Sequence, residues 1–204
     1  MAAKGGAVTA TASPIPKIAK LDHFTAALGD LLDKTTETGS PQFLNQVGSL
    51  LAALIREDDW LPSSYAVPHP QYYQQYCLHR DPQSRFSVVS FVWGPGQATP
   101  VHDHTIWGVI GMLRGQEHSQ RYVIGSDGVP APEGPLEVLC PGDISIVSAH
   151  HGDIHKVMNA HHDQVSISIH VYGGDIGTTE RHVFPLEGGP AKDFISGYSA
   201  PVLH

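Results

Sequence analysis

The sequence predicts a mainly β fold, either a sandwich or a closed barrel, with α-helices at its N-terminal side. Seven short apolar or alternating stretches lie between Arg85 and Tyr172, and turn signals such as Ser126-Asp-Gly128 and Pro141-Gly142 separate them. Glycine (21) and proline (16) are abundant in the 204 residues, which is typical of a turn-rich β protein. Helical periodicity is confined to the first third of the chain.

The length favours one domain of ordinary size with flanking segments. Residues 1–20 are small, polar and without regular periodicity, so we expect a flexible N-terminal tail. Residues 21–204 are expected to form a single domain, in which the part 21–80 is helical.

Two amphipathic helices are predicted within that helical part. The first runs from Leu21 to about Lys34 and the second from Pro41 to Arg56, each with apolar residues on one stripe. Ser40 suits the N-cap of the second helix, and Pro41 suits its first position. Residues 60–85 are interrupted by prolines and predict a loop with one short helix around Gln71–Leu78.

The predicted strands follow from Arg85 onward, where the hydrophobic pattern changes from helical spacing to short apolar or alternating runs. They are Phe86–Trp93, Thr105–Leu113, His118–Ile124, Leu136–Leu139, Ile144–Val147, His155–Asn159 and Val165–Tyr172.

Charge and composition exclude several classes of partner. The net charge of −8 with a pI near 5.9 would repel a phosphate backbone, so no nucleic-acid binding is expected. No apolar run is long enough to cross a membrane, and the N-terminus lacks the apolar core of a signal peptide. Cys77 and Cys140 fit no disulfide framework or zinc-finger spacing. We therefore expect a cytoplasmic protein, and the sequence predicts no oligomeric state.

Three histidines predict a metal centre. His102 and His104 form a His-x-His pair, which on a strand would place both imidazoles on one face. His155 lies on a later predicted strand and completes a set of three nitrogen ligands. Such a set leaves open positions on a divalent metal, as a catalytic site requires. His150 and His151 lie nearby, and either could touch the same cavity.

The spacing around these histidines resembles the two sequence motifs of the cupins, small jelly-roll barrels that hold a metal inside. Gly96-x5-His102-x-His104 with Gly115 resembles the first motif, and Gly152-x2-His155-x3-Asn159 the second. Cupins commonly have a glutamate ligand after the His-x-His pair, and Gly108 stands at that position here. The resemblance implies a jelly-roll barrel with a three-histidine site.

One predicted strand carries a regular polar face. Ser168, His170 and Tyr172 alternate with apolar residues, so they share one side of the strand. Such a face either meets water or lines a polar cavity. In a ligand-binding barrel it would form a proton relay, in which Ser168 orients His170 and His170 controls the proton of Tyr172.

Together, the block Phe91–Gly108 and the Ser168/His170/Tyr172 ladder resemble the thiol dioxygenases of the cysteine dioxygenase type, over roughly residues 60–184. That resemblance implies one mononuclear non-haem Fe(II) held by His102, His104 and His155. It also implies that a small thiol carboxylate and O2 are the substrates and a sulfinate is the product.

The chain departs from the mammalian branch of that family in two ways. A cysteine that is cross-linked to the active-site tyrosine there is replaced by Gly108, so Tyr172 is expected to be unmodified. The substrate-binding arginine of that branch is replaced by Gln75, although a shift of one residue would exchange Gln75 for Gln74 or Tyr76. Arg181 resembles the carboxylate-binding arginine of bacterial 3-mercaptopropionate dioxygenases, but it could also be a surface charge.

The sequence therefore predicts an Fe(II)-dependent thiol dioxygenase that converts 3-mercaptopropionate to 3-sulfinopropionate. Cysteine dioxygenase activity is the nearest alternative, and mercaptosuccinate is a further candidate substrate. A non-enzymatic metal-binding cupin and a cupin enzyme for carbon substrates are the alternatives from other classes. The ordered Ser168/His170/Tyr172 ladder argues against the former, and Gly108 in place of the glutamate argues against the latter.

Overall fold

The computed structural model describes residues 18–148 and 150–201. Within them, two α-helices precede eleven β-strands, so the prediction of a mainly β fold with N-terminal helices is confirmed. The helices are α1 (Ala19–Leu32) and α2 (Pro41–Leu54), and a 3₁₀ turn follows at Ser63–Tyr65. Most of the expected tail lies outside the described residues, and the last two of its positions belong to α1.

The strands form two sheets. In chain order they are β1 (Gln74–Arg80), β2 (Ser87–Trp93), β3 (Val101–His102), β4 (Gly108–Arg114), β5 (Glu117–Ile124), β6 (Pro130–Leu139), β7 (Ile144–Val147), β8 (His155–Asn159), β9 (Ser166–Tyr172), β10 (Arg181–Phe184) and β11 (Lys192–Phe194). One sheet has the order β1-β2-β9-β4-β7 and the other β11-β10-β3-β8-β5-β6. Every pairing is antiparallel.

The helices cover the outer face of the five-stranded sheet. Ser40 caps α2 by accepting a hydrogen bond from Phe43 N, as expected. α2 packs closely on β4 at Gly111, where an added Cβ would lie 2.9 Å from the Leu51 side chain. Ile167, Ile169 and Val171 of β9 belong to the same buried apolar cluster as the helices. The alternate residues of β9 therefore point to the other side, into the barrel.

The short helix expected around Gln71–Leu78 does not form, and β1 occupies most of this segment. The physical reason is long-range pairing, since β1 pairs with β2 along its whole length. Alternation supports the strand, because Tyr76 and Leu78 enter the core beneath the helices while Gln75 faces the other way. Sheet pairing here overrides a local pattern that is short and ambiguous.

Three further strands escaped the sequence-based prediction, and the starts of two predicted strands moved by three residues or more. β3, β10 and β11 are two to four residues long and are defined by their partners in the six-stranded sheet. β6 begins at Pro130, six residues before the predicted start, because it forms a long hairpin with β5. β4 begins at Gly108 instead of Thr105. Across the described part of the chain, no helix is long and apolar enough to cross a membrane.

Candidate metal centre and substrate cavity

The three predicted histidines meet inside the barrel in a nearly regular triangle. The ring centroids of His102 and His104 are 4.9 Å apart, those of His102 and His155 are 4.9 Å apart, and those of His104 and His155 are 4.8 Å apart. All three are buried, and their potential ligand atoms lie within 4.8 Å of one another. Within the described residues, no aspartate, glutamate or cysteine joins this group.

The sequence predicts that His102 and His104 lie on one strand, but of the two only His102 lies on a strand. His102 and His155 are direct cross-strand partners on β3 and β8. His104, however, does not lie on the same strand as His102, because β3 ends at His102 and Thr105 has a positive φ of 59°. The Asp153 carboxylate accepts hydrogen bonds from the backbone N–H groups of His104 and Thr105, which turns the chain out of the sheet.

Each histidine ring is anchored through its Nδ1 atom, which leaves Nε2 for a metal. His102 Nδ1 lies 3.1 Å from Pro100 O, and His155 Nδ1 lies 3.1 Å from Ser119 Oγ. His104 Nδ1 lies 3.0 Å from Asp153 Oδ1. Partners of this kind fix the tautomer and the ring orientation of metal-binding histidines.

The electrostatics of the triangle fit a divalent cation. Burial lowers the pKa of His102 to about 3 and the pKa of His155 well below its usual value, so both rings are neutral at physiological pH. The neutral imidazole is the form that binds metal. Burial would raise the pKa of Asp153, but the His104 side chain and the backbone N–H groups of His104 and Thr105 together outweigh it, so the pKa of that carboxyl is lowered. Three imidazole nitrogens on one side of a centre suit a transition metal with open positions.

The Ser168/His170/Tyr172 ladder is a continuous hydrogen-bonded chain on the inner face of β9. Ser168 Oγ lies 2.8 Å from His170 Nε2, and His170 Nδ1 lies 2.9 Å from the Tyr172 hydroxyl. All three side chains are buried, and the Tyr172 ring stacks on His104 at 5.7 Å between centroids. The polar face of this strand lines the barrel interior and does not meet water. Burial lowers the pKa of His170 and raises that of Tyr172, which favours the uncharged form of each.

Gly108 lies directly beside the Tyr172 ring, as its pairing with Tyr172 between β4 and β9 requires. A Cβ at Gly108 would lie 3.0 Å from Tyr172 Cε1 and 2.8 Å from a Val147 methyl carbon. A side chain at this position would therefore touch the ring carbon that is ortho to the phenol hydroxyl group. No cysteine of the chain occupies it, since Cys77 and Cys140 lie elsewhere.

Arg181 is a buried residue of the cavity and not a surface charge. It begins β10, is 3% exposed, and its guanidinium lies 4.5 Å from the centre of the Phe194 ring. Its Nη2 atom donates to Ser196 Oγ at 2.7 Å, and its Nε atom has no partner in the described residues. No acidic side chain of the described residues forms an ion pair with it.

Gln75 lines the same cavity, whereas its neighbours Gln74 and Tyr76 do not. Its side-chain amide group donates to Ser196 Oγ at 2.9 Å and to Gly197 O at 2.8 Å. Both amide protons are therefore engaged by the C-terminal segment. The contact of Gln75 with Arg181 runs through Ser196, which bonds to both.

The cavity that these groups enclose is small and carries one charged side chain. The free volume inside the cavity is about 20 Å³, within about 340 Å³ that also counts the open space at its mouth. Its walls contain the histidine triangle, Tyr172, His170, Gln75 and Arg181, together with aromatic side chains from β2 and β11. Among the described residues, neither aspartate nor glutamate lines it, and neither His150 nor His151 does.

Sequence reasoning missed the residues that hold the predicted ones in place. Asp153 and Ser119 anchor His104 and His155, and Ser196 joins Arg181 to Gln75. Asp153 stands two residues before His155, and this proximity could have indicated it. The chain gives no such signal for Ser119 or Ser196, because both reach the site only through pairing of distant strands.

A comparison with known protein families gives one match, to the model described as cysteine dioxygenase type I. It covers residues 45–182, which is more than half of the chain and includes all three histidines of the triangle, the Ser168/His170/Tyr172 ladder and Arg181. The chain belongs to this family. Membership implies a dioxygenase. The predicted resemblance to the cysteine dioxygenase family is therefore confirmed.

Several solved structures resemble the fold at low sequence identity. A protein with a double-stranded β-helix domain from Klebsiella pneumoniae is 20% identical, with 58% of this chain and 87% of that chain covered and a TM-score of 0.44. A Thermus thermophilus protein is 20% identical, with 55% and 92% covered and a TM-score of 0.43. A cupin superfamily protein from Desulfitobacterium hafniense is 12% identical, with 58% and 94% covered and a TM-score of 0.43. The predicted cupin jelly roll is the fold observed.

Proposed function

We propose that the protein is an Fe(II)-dependent thiol dioxygenase that adds both atoms of O2 to the sulfur of a small thiol carboxylate. The preferred substrate is 3-mercaptopropionate, and the product is 3-sulfinopropionate. Family membership implies the dioxygenase class. The choice of iron, the thiol and the roles of the individual residues are our proposal.

The observation that carries the proposal is Arg181, a buried arginine in the cavity of the histidine triangle that has no acidic partner among the described residues. Burying an unpaired guanidinium is costly, and a carboxylate offers it both charge and a bidentate hydrogen-bond geometry. Arg181 has a free Nε–H for such a contact, while Ser196 fixes its Nη2. A substrate held by its carboxylate at Arg181 would have its other end at the histidines.

Iron bound by His102, His104 and His155 would hold the thiolate and O2 next to each other and let the sulfur supply the electrons that reduce O2. The chain contributes the fixed geometry around this centre. Anchored imidazoles keep the ligand nitrogens in place, and the small cavity limits the substrate to a few heavy atoms between sulfur and carboxylate.

The ladder on β9 would control the proton at the reacting end. Tyr172 lies against His104, and both Tyr172 and His170 line the cavity. His170 bonds to the Tyr172 oxygen and is itself held by Ser168. We assign Tyr172 as the hydrogen-bond donor to the reacting oxygen or sulfur, and His170 and Ser168 as the groups that orient it.

The lining of the cavity favours 3-mercaptopropionate over cysteine. The two thiols differ in the ammonium group of cysteine, which needs a carboxylate or several acceptors when it is buried. The described lining has no aspartate or glutamate to receive it, and the engaged amide of Gln75 presents only its oxygen. We therefore assign Gln75 the role of holding Ser196 and, through it, Arg181.

The test is oxygen uptake by the Fe(II)-loaded protein with a panel of thiols, together with quantification of the sulfinate. The panel contains 3-mercaptopropionate, cysteine, mercaptosuccinate and the carboxylate-free thiol 2-mercaptoethanol. The wild type is expected to oxidise 3-mercaptopropionate most efficiently. In Arg181→Ala, kcat/KM for the carboxylate thiols should fall by about 100-fold or more, since a charged hydrogen-bonded contact is lost.

Arg114→Ala is the matched control, because Arg114 forms its ion pair with Asp58 on the outside of the barrel. It should leave every kcat/KM value unchanged. If Arg181→Ala lowered kcat/KM equally for 2-mercaptoethanol and for 3-mercaptopropionate, Arg181 would not be the residue that recognises the carboxylate. Far more efficient oxidation of cysteine would overturn the substrate preference, and no thiol-dependent oxygen uptake would overturn the proposed function.

A further inference from the structure

Glu117 is a buried carboxyl group at the inner end of the β9 ladder, and the proposed function does not use it. It begins β5 and is 0% exposed. The Ser168, Ser166 and Trp93 side chains are the hydrogen-bonding groups that face its carboxyl group, although neither carboxyl oxygen makes a close hydrogen bond to them within the described residues. Its cross-strand neighbours are Leu139 on β6 and Asn159 on β8, which carry no charge. Burial raises the pKa of Glu117 to about 8, although the nearby Ser168, Ser166 and Trp93 side chains lower it in part.

The hydrogen-bond capacity of Ser168 links this carboxyl group to the ladder. Trp93 Nε1 can only donate, and it donates to Ser168 Oγ at 3.3 Å. Ser168 then has a single hydroxyl proton for two neighbours, His170 Nε2 at 2.8 Å and the Glu117 carboxyl group. Whichever neighbour receives that proton fixes the direction of the remaining bonds.

Two arrangements of the chain are possible, because the depressed pKa of His170 leaves its ring with one N–H. In the first, Glu117 donates to Ser168, Ser168 donates to His170 Nε2, and His170 Nδ1–H donates to the Tyr172 oxygen. The Tyr172 proton is then free to point into the cavity. In the second, Ser168 donates to an ionised Glu117, His170 Nε2–H donates to Ser168, and Tyr172 donates to His170 Nδ1.

We propose that Glu117 is a positioning residue whose neutral carboxyl group directs the Tyr172 proton into the cavity, and whose ionisation reverses the whole hydrogen-bond chain. The reversal releases one proton from Glu117 to solvent. The other protons only shift within the chain, so charge and atoms balance. The catalytic consequence of this inference rests on the proposed function. The direction of the hydrogen bonds from Glu117 to Tyr172 can, however, be observed in protein that is not turning over substrate.

The groups that face Glu117 make it the titrating member of this chain. β9 presents Ser166, Ser168 and, beyond them, His170 and Tyr172, while β2 presents Trp93. None of the groups that shift its pKa is a charged side chain. The strands beside it contribute Leu139 and Asn159, neither of which titrates.

The experiment is nitrogen NMR of the histidine rings in metal-free protein labelled with ¹⁵N-histidine, at about pH 6 and about pH 9 on either side of the raised pKa. The His170 signals are identified by their loss in His170→Gln. In the wild type, we expect the proton on Nδ1 at the lower pH and on Nε2 at the higher pH. In Glu117→Gln, the amide donates to Ser168 at every pH, so the proton should stay on Nδ1.

Glu187→Gln is the matched control, since Glu187 is exposed in the turn between β10 and β11 and should behave as the wild type. A protonated-carboxyl infrared band that disappears in Glu117→Gln and titrates with a midpoint of about 8 should accompany the tautomer change. A wild-type His170 with its proton on Nε2 at the lower pH would overturn the inference. The inference would also be overturned if the wild-type His170 tautomer did not depend on pH, or if it still changed with pH in Glu117→Gln.

These measurements separate the inference from the proposed function. If Glu117→Gln fails to fold, the wild type alone still tests the inference. The pH midpoint of the His170 tautomer change must then coincide with the pH midpoint of the carboxyl infrared band, and different midpoints would overturn the inference. If the His170 tautomer changes with pH but the protein oxidises no thiol, the proposed function is wrong and the inference about Glu117 still holds. If the enzyme is active, wild-type kcat should fall about tenfold per pH unit above the raised pKa, and Glu117→Gln should lose this dependence.

Discussion

Replacing Glu117 with glutamine should change how the stability of the protein depends on pH, and the size of the change follows from burial. Burial raises the pKa of Glu117 from 4.5 to about 8. In that range the unfolded chain releases the proton while the folded protein keeps it. The free energy of unfolding therefore falls as pH rises above 4.5, and the loss is complete near the raised pKa of about 8.

The magnitude is about 1.4 kcal/mol for each pH unit between the two pKa values. Between about pH 5 and about pH 7, the wild type should lose about 2 to 3 kcal/mol relative to Glu117→Gln, which has no proton to release. The buried histidines add a pH dependence of the opposite sign, because their pKa values are lowered. That contribution is common to both proteins and cancels in the difference.

The assay is urea unfolding of the metal-free wild type, Glu117→Gln and the exposed control Glu187→Gln at several pH values. The free energies can be compared when the three proteins have the same m-value, the slope of the unfolding free energy against urea concentration. Glu187→Gln should track the wild type. A constant difference between the wild type and Glu117→Gln across this range would refute the reasoning, because Glu117 would then be ionised in the folded protein. A difference that grows in favour of the wild type with rising pH would refute it as well.

Three other changes test the site. Tyr172→Phe should lower kcat for 3-mercaptopropionate by about 100-fold while KM is retained, and steady-state kinetics showing an unchanged kcat would contradict the role of the hydroxyl. Gly108→Ala should cost about 1 to 3 kcal/mol in urea unfolding, because the new methyl group would press on Tyr172 and Val147; an unchanged midpoint would contradict the packing described. Asp153→Asn should weaken Fe(II) binding by about 10- to 100-fold in calorimetric titration, since His104 loses its charged anchor, and unaltered affinity would show that the anchor is dispensable.

The β9 ladder shows which part of the site is encoded locally. Its alternation of polar and apolar residues predicts that Ser168, His170 and Tyr172 share a face, and the strand places them in one hydrogen-bonded chain. The cupin spacing likewise predicts three histidines that the barrel brings together. Local period suffices for the ladder because one strand fixes its geometry, and the spacing predicts His102 and His155 as strand residues that pair directly.

The unpredicted parts depend on contacts between distant segments. β1 forms because β2 is available as a partner, although its own sequence also suits a short helix. His104 leaves the strand because Asp153, which is 49 positions away, binds its backbone. Glu117 gives no signal in the sequence, where a single acid at the start of a strand is ordinary, and only its burial reveals it. The cytoplasmic location and the lack of nucleic-acid binding remain predictions.

The C-terminal segment divides the site into two parts that can vary separately. Phe194 and Ser196 hold Arg181, yet both lie beyond residue 182, where the match to the family ends. The histidines and the β9 ladder lie entirely within the matched span. Under the proposed function, redesign of residues 192–199 should change which acid the cavity admits without altering the histidines or the β9 ladder. This short stretch is therefore a natural starting point for altering substrate selectivity in the laboratory.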